Sequence, residues 1–357
     1  PPRSTLFPYT TLFRSVLGLV RDVLMAALFS ATGATDAFYV AFRIPNLMRR
    51  LVGEGVFTVS FIPVYTEYLV GNDFRGALDC AQKTLSALLA ALTGLVFLGT
   101  VFAPQIVRVI AMGFDDAVRI NDTVVMFRIM MPFLATAGLL AFSSGVLNAH
   151  RRFFAPAFAP VLLNVGIIAG ILVLSGLTLE PLYGVSAGVV LGGVLQVIMQ
   201  IPYMVREGFR FRLSFACSHP GLRKIARRGL LGIPAMGGQQ INILIATLLG
   251  SFLAPGSISY IYFSDRLHEL VLGVSVMAIG SVVFPEISER ASRRDHAGLL
   301  SIYSRSVRMA LFAAIPATAG LMIAGYPIVS VLLMHHRFTS YEAMMTYRAL
   351  FWASVGI

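Results

Sequence analysis

The sequence predicts an all-α polytopic membrane protein built as two lobes, and three observations carry that prediction. Apolar residues make up 57% of the chain and charged residues only 13%, with a mean hydropathy of +0.79, a balance that suits lipid contact and not a water-facing surface. Apolar stretches long enough to cross a hydrocarbon core, about 20 residues each as helices, recur along the whole chain. Lys and Arg crowd into alternate connections between them, the pattern that sets orientation in a membrane.

Ten helices are expected, near residues 16–32, 37–66, 84–107, 123–147, 157–177, 181–204, 229–252, 258–286, 307–332 and from 342 onward. In the second, Asp36, Arg43, Arg49, Arg50 and Glu54 interrupt an apolar run. At ~100° per residue Asp36, Arg43, Arg50 and Glu54 share an arc of roughly 40°, and Arg49 points elsewhere. One Arg or Asp at bilayer depth costs on the order of 2.5–3.5 kcal/mol by insertion scales, so this stripe should face a polar interior. The third to sixth spans are nearly free of charge, with Arg128 in the fourth placed equally well at a cavity or at the outer interface. Asn164, Gln196, Gln200, Gln239, Gln240 and Asn242 read first as hydrogen-bonding partners between helices. The seventh span is preceded by a basic segment, and the eighth, SYIYFSDRLHELVLGVSV, carries Asp265, Arg266, His268 and Glu269, with Asp265 and Glu269 one turn apart on one face. Pro45, Pro63, Pro132, Pro234 and Pro285 bend or end their helices.

With the N-terminus inside, cytoplasmic connections hold Arg75 and Lys83; Arg151 and Arg152; Arg206 to Arg228; and Arg290 to Arg308. The opposite connections are nearly bare, and there Arg119 lies beside three Asp. This asymmetry explains much of the net charge of +11, so an anionic lipid surface, and not nucleic acid, is the expected partner for the basic loops. Cys80 and Cys217 fall in loops on this reading, which argues against a disulfide. No metal-ligand spacing stands out, since His335 and His336 are adjacent and diverge.

Residues 1–15, PPRSTLFPYTTLFRS, fit poorly with the apolar, helix-forming chain after them and read as a non-native leader. The apolar end FWASVGI suggests a piece of a longer chain. Aligning Pro63 with Pro285 matches FIPVYTEY to VFPEISER and sets Arg43 over Asp265, a weak repeat of the kind from which two-lobed transporters are built. The expected division is an N-terminal lobe over 16–205, a basic linker over 206–228 and an incomplete second lobe over 229–357.

The run RDVLMAALFSATGATDAFYVAFRIPNLMRRLVGEGVFTVSFIPVYTEY, together with NAHRRFFAPAFAPVLLN, GGVLQVIMQIPYM, SYIYFSDRLHEL and RFTSYEAMMTYRAL, resembles the MurJ (MviN) family of lipid II flippases in the MOP superfamily. The resemblance implies a two-lobe bundle of fourteen helices, of which about ten are present. It also implies transport of undecaprenyl-pyrophosphate-linked peptidoglycan precursor, lipid II, from the cytoplasmic to the outer leaflet of the bacterial inner membrane by alternating access. The family's cationic cavity matches Arg21, Asp36, Arg49, Arg50 and Arg266 here, with Arg43, Glu54, Asp265 and Glu269 as further cavity residues. The family's arginine before VLG in the first helix is Ser15 in this chain, and Arg14 stands one position too early to replace it. Asp36 and Glu54 are expected to neutralise the arginines when the cavity is empty, which normal growth with Asp36→Asn would refute.

No cofactor or metal is expected; coupling to membrane potential or a monovalent cation is, and the cell-wall synthesis machinery is a further expected partner. The alternatives are a polysaccharide or multidrug exporter of the same superfamily, for which the arginines are the wrong sign, and a non-transporting scaffold, which needs no buried charge. An enzyme lacks a nucleophile, base and orienter set in the sequence.

Overall fold

A computed structural model describes residues 6–51, 57–212, 219–293 and 295–356, and all regular structure among them is helical. In order these are α1 (Leu6–Phe29), α2 (Gly33–Arg49), α3 (Phe57–Val70), α4 (Phe74–Val101), α5 (Ala103–Ile110), α6 (Ala117–Met130), α7 (Pro132–Ala149), α8 (Phe154–Leu172), α9 (Pro181–Arg206), α10 (Pro220–Ser251), α11 (Ser257–Ser292), α12 (His296–Leu333) and α13 (Ser340–Ser354). Helices satisfy every internal backbone group within one segment, the condition for crossing lipid.

Their starts are written in short polar side chains. Asp73, Asp116 and Asp295 cap α4, α6 and α12 by accepting from the backbone N–H of Gly76, Val118 and Gly298, and Thr339 with Glu342 forms a capping box on α13. Pro132, Pro181 and Pro220 open α7, α9 and α10, where a missing N–H is harmless.

Several expected elements are divided differently. The span over 84–107 appears as α4 and α5 and that over 123–147 as α6 and α7; α2 and α3 lie within the span over 37–66, and residues 52–56 between them lie outside the described residues. Arg75, Lys83 and Cys80 lie in the opening turns of α4 and not in a loop. Lys83 there pairs with Asp79 at 2.8 Å, and Cys80 is buried. Glu54 and Cys217 lie outside the described residues. Among the described residues five helical spans are long and apolar enough to cross a membrane: Phe74–Val101, Ala117–Ala149, Phe154–Leu172, Pro181–Arg206 and Gly298–Leu333. α1 and α2 fall outside that set because α1 carries Arg14, Arg21 and Asp22 and α2 is only 17 residues long and charged at both ends. Helices that face a polar interior are expected to look so.

The chain divides into two compact units, one of Pro1–Leu24 with Gly33–Pro255, the other of Met25–Thr32 with Gly256–Ile357. The first therefore includes α10, whose Lys224 and Arg228 lie 3.2 and 3.6 Å from Glu67 of α3; residues 220–228, expected within a linker, are helical. Its core holds stacked rings, Phe57 on Phe61 at 4.9 Å and Phe61 on Tyr65 at 5.2 Å, with Phe142 of α7 against Phe61. α8 and α9 are its most closely paired helices. A Cβ on Gly166 would stand 2.3 Å from the Gly192 Cα, and one on Gly188 would stand 2.7 Å from the Gly170 Cα, so the two backbones touch as small-residue helix pairs do in membranes. In the second unit α11, α12 and α13 pack on one another. The last turns of α1 join them through Ser30 Oγ donating to Glu342 at 2.7 Å and the Arg337 N–H donating to the Ala27 carbonyl at 3.1 Å.

At one end of the first unit His150, just past α7, lies 3.1 Å from the Tyr65 hydroxyl and 3.7 Å from Glu207, which also accepts from Arg152 at 2.7 Å. Burial holds the His150 pKa below its ordinary 6.5, and Arg152 lowers it further, while Glu207 opposes both. A histidine depressed in the folded state is neutral there and protonates first in the unfolded chain, so its contribution is whole above about 6.5 and declines as pH falls through that value.

The melting temperature of the purified protein should accordingly fall between pH 7 and pH 5, with a shallower slope in His150→Phe. Gly188→Leu should destabilise the first unit by about 1–3 kcal/mol or more through backbone separation. Gly94→Ala, with nothing within 4 Å of the added Cβ, should be neutral or slightly stabilising in the same melt.

Candidate functional site

In the first unit Arg21 sits on α1, and Asp36, Arg43 and Arg49 sit on α2. Arg21 donates from Nε and Nη2 to Asp22 Oδ1 at 2.9 and 2.8 Å and from Nη1 to Asn164 Oδ1 at 3.0 Å. The two charged side chains are only 11% and 6% exposed. Asn164, on α8, donates in turn to the Arg14 carbonyl at 3.2 Å, so it ties α1 to α8 and fixes the plane of the guanidinium. A buried Arg and carboxylate side by side are tolerable because each cancels the field of the other and both are hydrogen bonded.

α2 is polarised along its length. Asp36 stands in its first turn and Arg49 in its last, which is the arrangement that the helix dipole favours. About 20 Å of helix separates them. Asp36 is 1% exposed and accepts from Arg119 Nη2 at 2.9 Å. Its neutralising partner is thus Arg119 of α6, a residue whose three acidic neighbours in sequence suggested a charge offset within its own outer connection. Arg49, at the far end of the helix, lies beyond the direct reach of Asp36 by the helix rise. Arg49 Nε donates to Asn46 Oδ1 at 3.1 Å, and Arg49, Arg50 and Arg43 are all partly buried. Glu54 lies outside the described residues.

In the second unit Arg266 of α11 donates to Glu269 Oε2 at 2.6 Å and lies over the Tyr262 ring, 5.1 Å from its centroid. Its side chain is 29% exposed. Asp265 and Glu269 are exposed one turn apart, as the sequence spacing required. Each unit therefore carries an arginine already in contact with a carboxylate three residues away or fewer, and an aromatic or amide group that orients it. Such an arginine is pre-organised for an oxyanion, because a phosphate oxygen can take the place of the carboxylate without a change in the fork. Among the described residues no group of His, Cys, Asp and Glu is arranged to hold a metal ion.

The residues missed by sequence reasoning are Asp22, Asn164 as a partner for arginine, and Arg119. The signals were present in weak form. Asp22 follows Arg21 directly, Asn164 is a lone amide in an apolar helix, and Arg119 is the basic residue of an acidic outer connection.

The sequence profile of "Lipid II flippase MurJ" matches residues 25–357. The chain belongs to the lipid II flippase MurJ family. A member from Vibrio cholerae, named "Probable lipid II flippase MurJ", is 34% identical over 97% of this chain and 68% of its own length. The "Lipid II flippase MurJ" of Burkholderia cenocepacia is 33% identical over the same shares. Among solved structures, "Lipid II flippase MurJ, inward closed conformation" superposes with a TM-score of 0.84 at 24% identity, covering 99% of this chain and 72% of that one. An inward-facing multidrug resistance MATE transporter of the MOP superfamily superposes at 0.75 with 13% identity, covering 96% and 79%. These likenesses establish the fold: an all-α, multi-pass membrane protein with the MOP transporter architecture.

Removing the amide that orients Arg21 tests the geometry of this family member directly. Asn164→Ala should lower the stability of the detergent-solubilised protein by about 1–3 kcal/mol, read as a lowered melting temperature, whereas Asn164→Asp, which keeps an acceptor for the guanidinium, should lose less.

Proposed function

We propose that this protein flips lipid II across the bacterial inner membrane, from the cytoplasmic to the outer leaflet, by alternating access of its two lobes. The observation that carries the reading is family membership along residues 25–357; the partly buried guanidiniums of Arg21, Arg49, Arg50 and Arg266 supply a chemical reason for it. The pyrophosphate of a polyprenyl-linked sugar is a concentrated anion that bidentate guanidinium groups bind well where water is scarce. Drug exporters of the same superfamily share the fold, but a cation would be repelled by these residues.

The pairs Arg21 with Asp22 and Arg266 with Glu269 suggest how binding and release are balanced. On entry the pyrophosphate oxygens replace the carboxylates on the guanidiniums, so the arginines exchange one anion for another and are not stripped of a partner. On release the carboxylates return, which favours departure of the substrate. The carrier is a transporter and no bond in the substrate is made or broken. Its N-terminus faces the cytoplasm, because that orientation places the basic connections on the anionic side of the membrane, where phospholipids and the cell-wall synthesis machinery are its partners. Membrane potential or a monovalent cation supplies the driving force, and no cofactor takes part.

Complementation tests this reading. The full-length protein carrying these residues should rescue cells depleted of their own lipid II flippase. Arg266→Ala, and the double substitution Arg49→Lys with Arg50→Lys, which keeps charge but loses the guanidinium fork, should fail to rescue at equal membrane levels. Rescue by the double Lys variant equal to wild type would show that a point charge is enough, and failure of well-inserted wild type would reject lipid II as the cargo.

A further inference from the structure

We propose that Arg119 is a positioning residue of the transport site, acting through Asp36, an inference that rests on the flippase function proposed for this chain. Arg119 sits in the first turns of α6, where its sequence neighbours Asp115, Asp116 and Asp122 are the obvious partners. Two of these are committed elsewhere: Asp116 caps α6 by accepting from the Val118 N–H at 2.9 Å, and Asp122 accepts from the Tyr183 hydroxyl at 2.7 Å. The Arg119 side chain turns instead to α2. Its Nε donates to the Gly33 carbonyl at 3.0 Å and its Nη2 to Asp36 Oδ2 at 2.9 Å. The guanidinium carbon lies 3.5 Å from the centroid of Phe114, and the Arg119 carbonyl accepts from Thr123 Oγ1 at 2.7 Å.

Two donors of one rigid fork thus grip two points of the same helical turn, and an aromatic face holds the fork from a third side. Lysine gathers its donors on one nitrogen and has no planar fork to reach both acceptors while lying flat on the ring. The Asp36 side chain is 1% exposed and that of Arg119 13%, so removing the fork would leave a buried carboxylate without this charged partner. Arg119 touches no substrate on this view. It fixes where the Asp36 carboxylate points, at the opposite end of α2 from Arg49 and Arg50.

The test is a double-mutant cycle in flippase-depleted cells at matched membrane levels, with melting temperatures of the purified variants alongside. Arg119→Ala should reduce rescue by about tenfold or more, and Arg119→Lys should fall between it and wild type. Because the effect passes through Asp36, adding Arg119→Ala to Asp36→Asn should cost little further rescue. The exchanged pair, Asp36→Arg with Arg119→Asp, should regain melting temperature but not rescue, since the carboxylate is then on the wrong helix. Rescue by the exchanged pair would show that the pair only holds the fold together. Full rescue by Arg119→Ala, or losses from the two single variants that simply add, would also overturn the proposal. Failure of wild type to rescue would count against the flippase reading itself, a result separate from any of these.

Discussion

Hydrocarbon solvates neither a peptide group nor a guanidinium, and the arrangement of this protein follows from that single deficit. Peptide groups are satisfied by making every described element a helix. Several charged side chains have a partner close by: Asp22 and Asn164 for Arg21, Arg119 for Asp36, Asn46 for Arg49, Glu269 and Tyr262 for Arg266. Apolar contact between helices provides little drive in lipid, so close approach and hydrogen bonds do the work of assembly. The seam of Gly166, Gly170, Gly188 and Gly192 between α8 and α9 is the clearest instance.

These partners also shape what the site can do. A guanidinium that already holds a carboxylate can exchange it for another oxyanion without losing its hydrogen bonds. α2 separates its charges, a buried ion pair at its start and cations at its end, with the dipole of the helix favouring both placements. Asp36, at the start of that helix, is paired with Arg119 of α6.

Much of this was legible in the sequence. The helices of the fifth to tenth expected spans lie near where apolar length placed them, and the acidic caps at Asp73, Asp116 and Asp295 are local signals. The cation-bearing positions on α1, α2 and α11 were visible as charges in apolar runs. Less legible was the division of 84–107 and 123–147 into two helices each, since hydropathy does not register a helix end inside an apolar run. Cys80 and Lys83 were misplaced for a related reason: α4 continues beyond its apolar part, held by its Asp73 cap and the Lys83 to Asp79 pair. A hydropathy boundary marks where lipid contact ends and not where the helix does.

The sequence by itself determined that this is a helical membrane protein of the lipid II flippase family and which side chains bear charge within it, because composition, periodicity and family motifs are local properties of the chain. Tertiary structure alone decided which charge answers which. Arg119 lies three residues from Asp116 and 83 from Asp36, yet it pairs with Asp36, since the packing of α6 on α2 brings them together after Asp116 has been used as a cap. Ion pairs across helices depend on where the backbones meet, and no spacing along one strand of sequence encodes that.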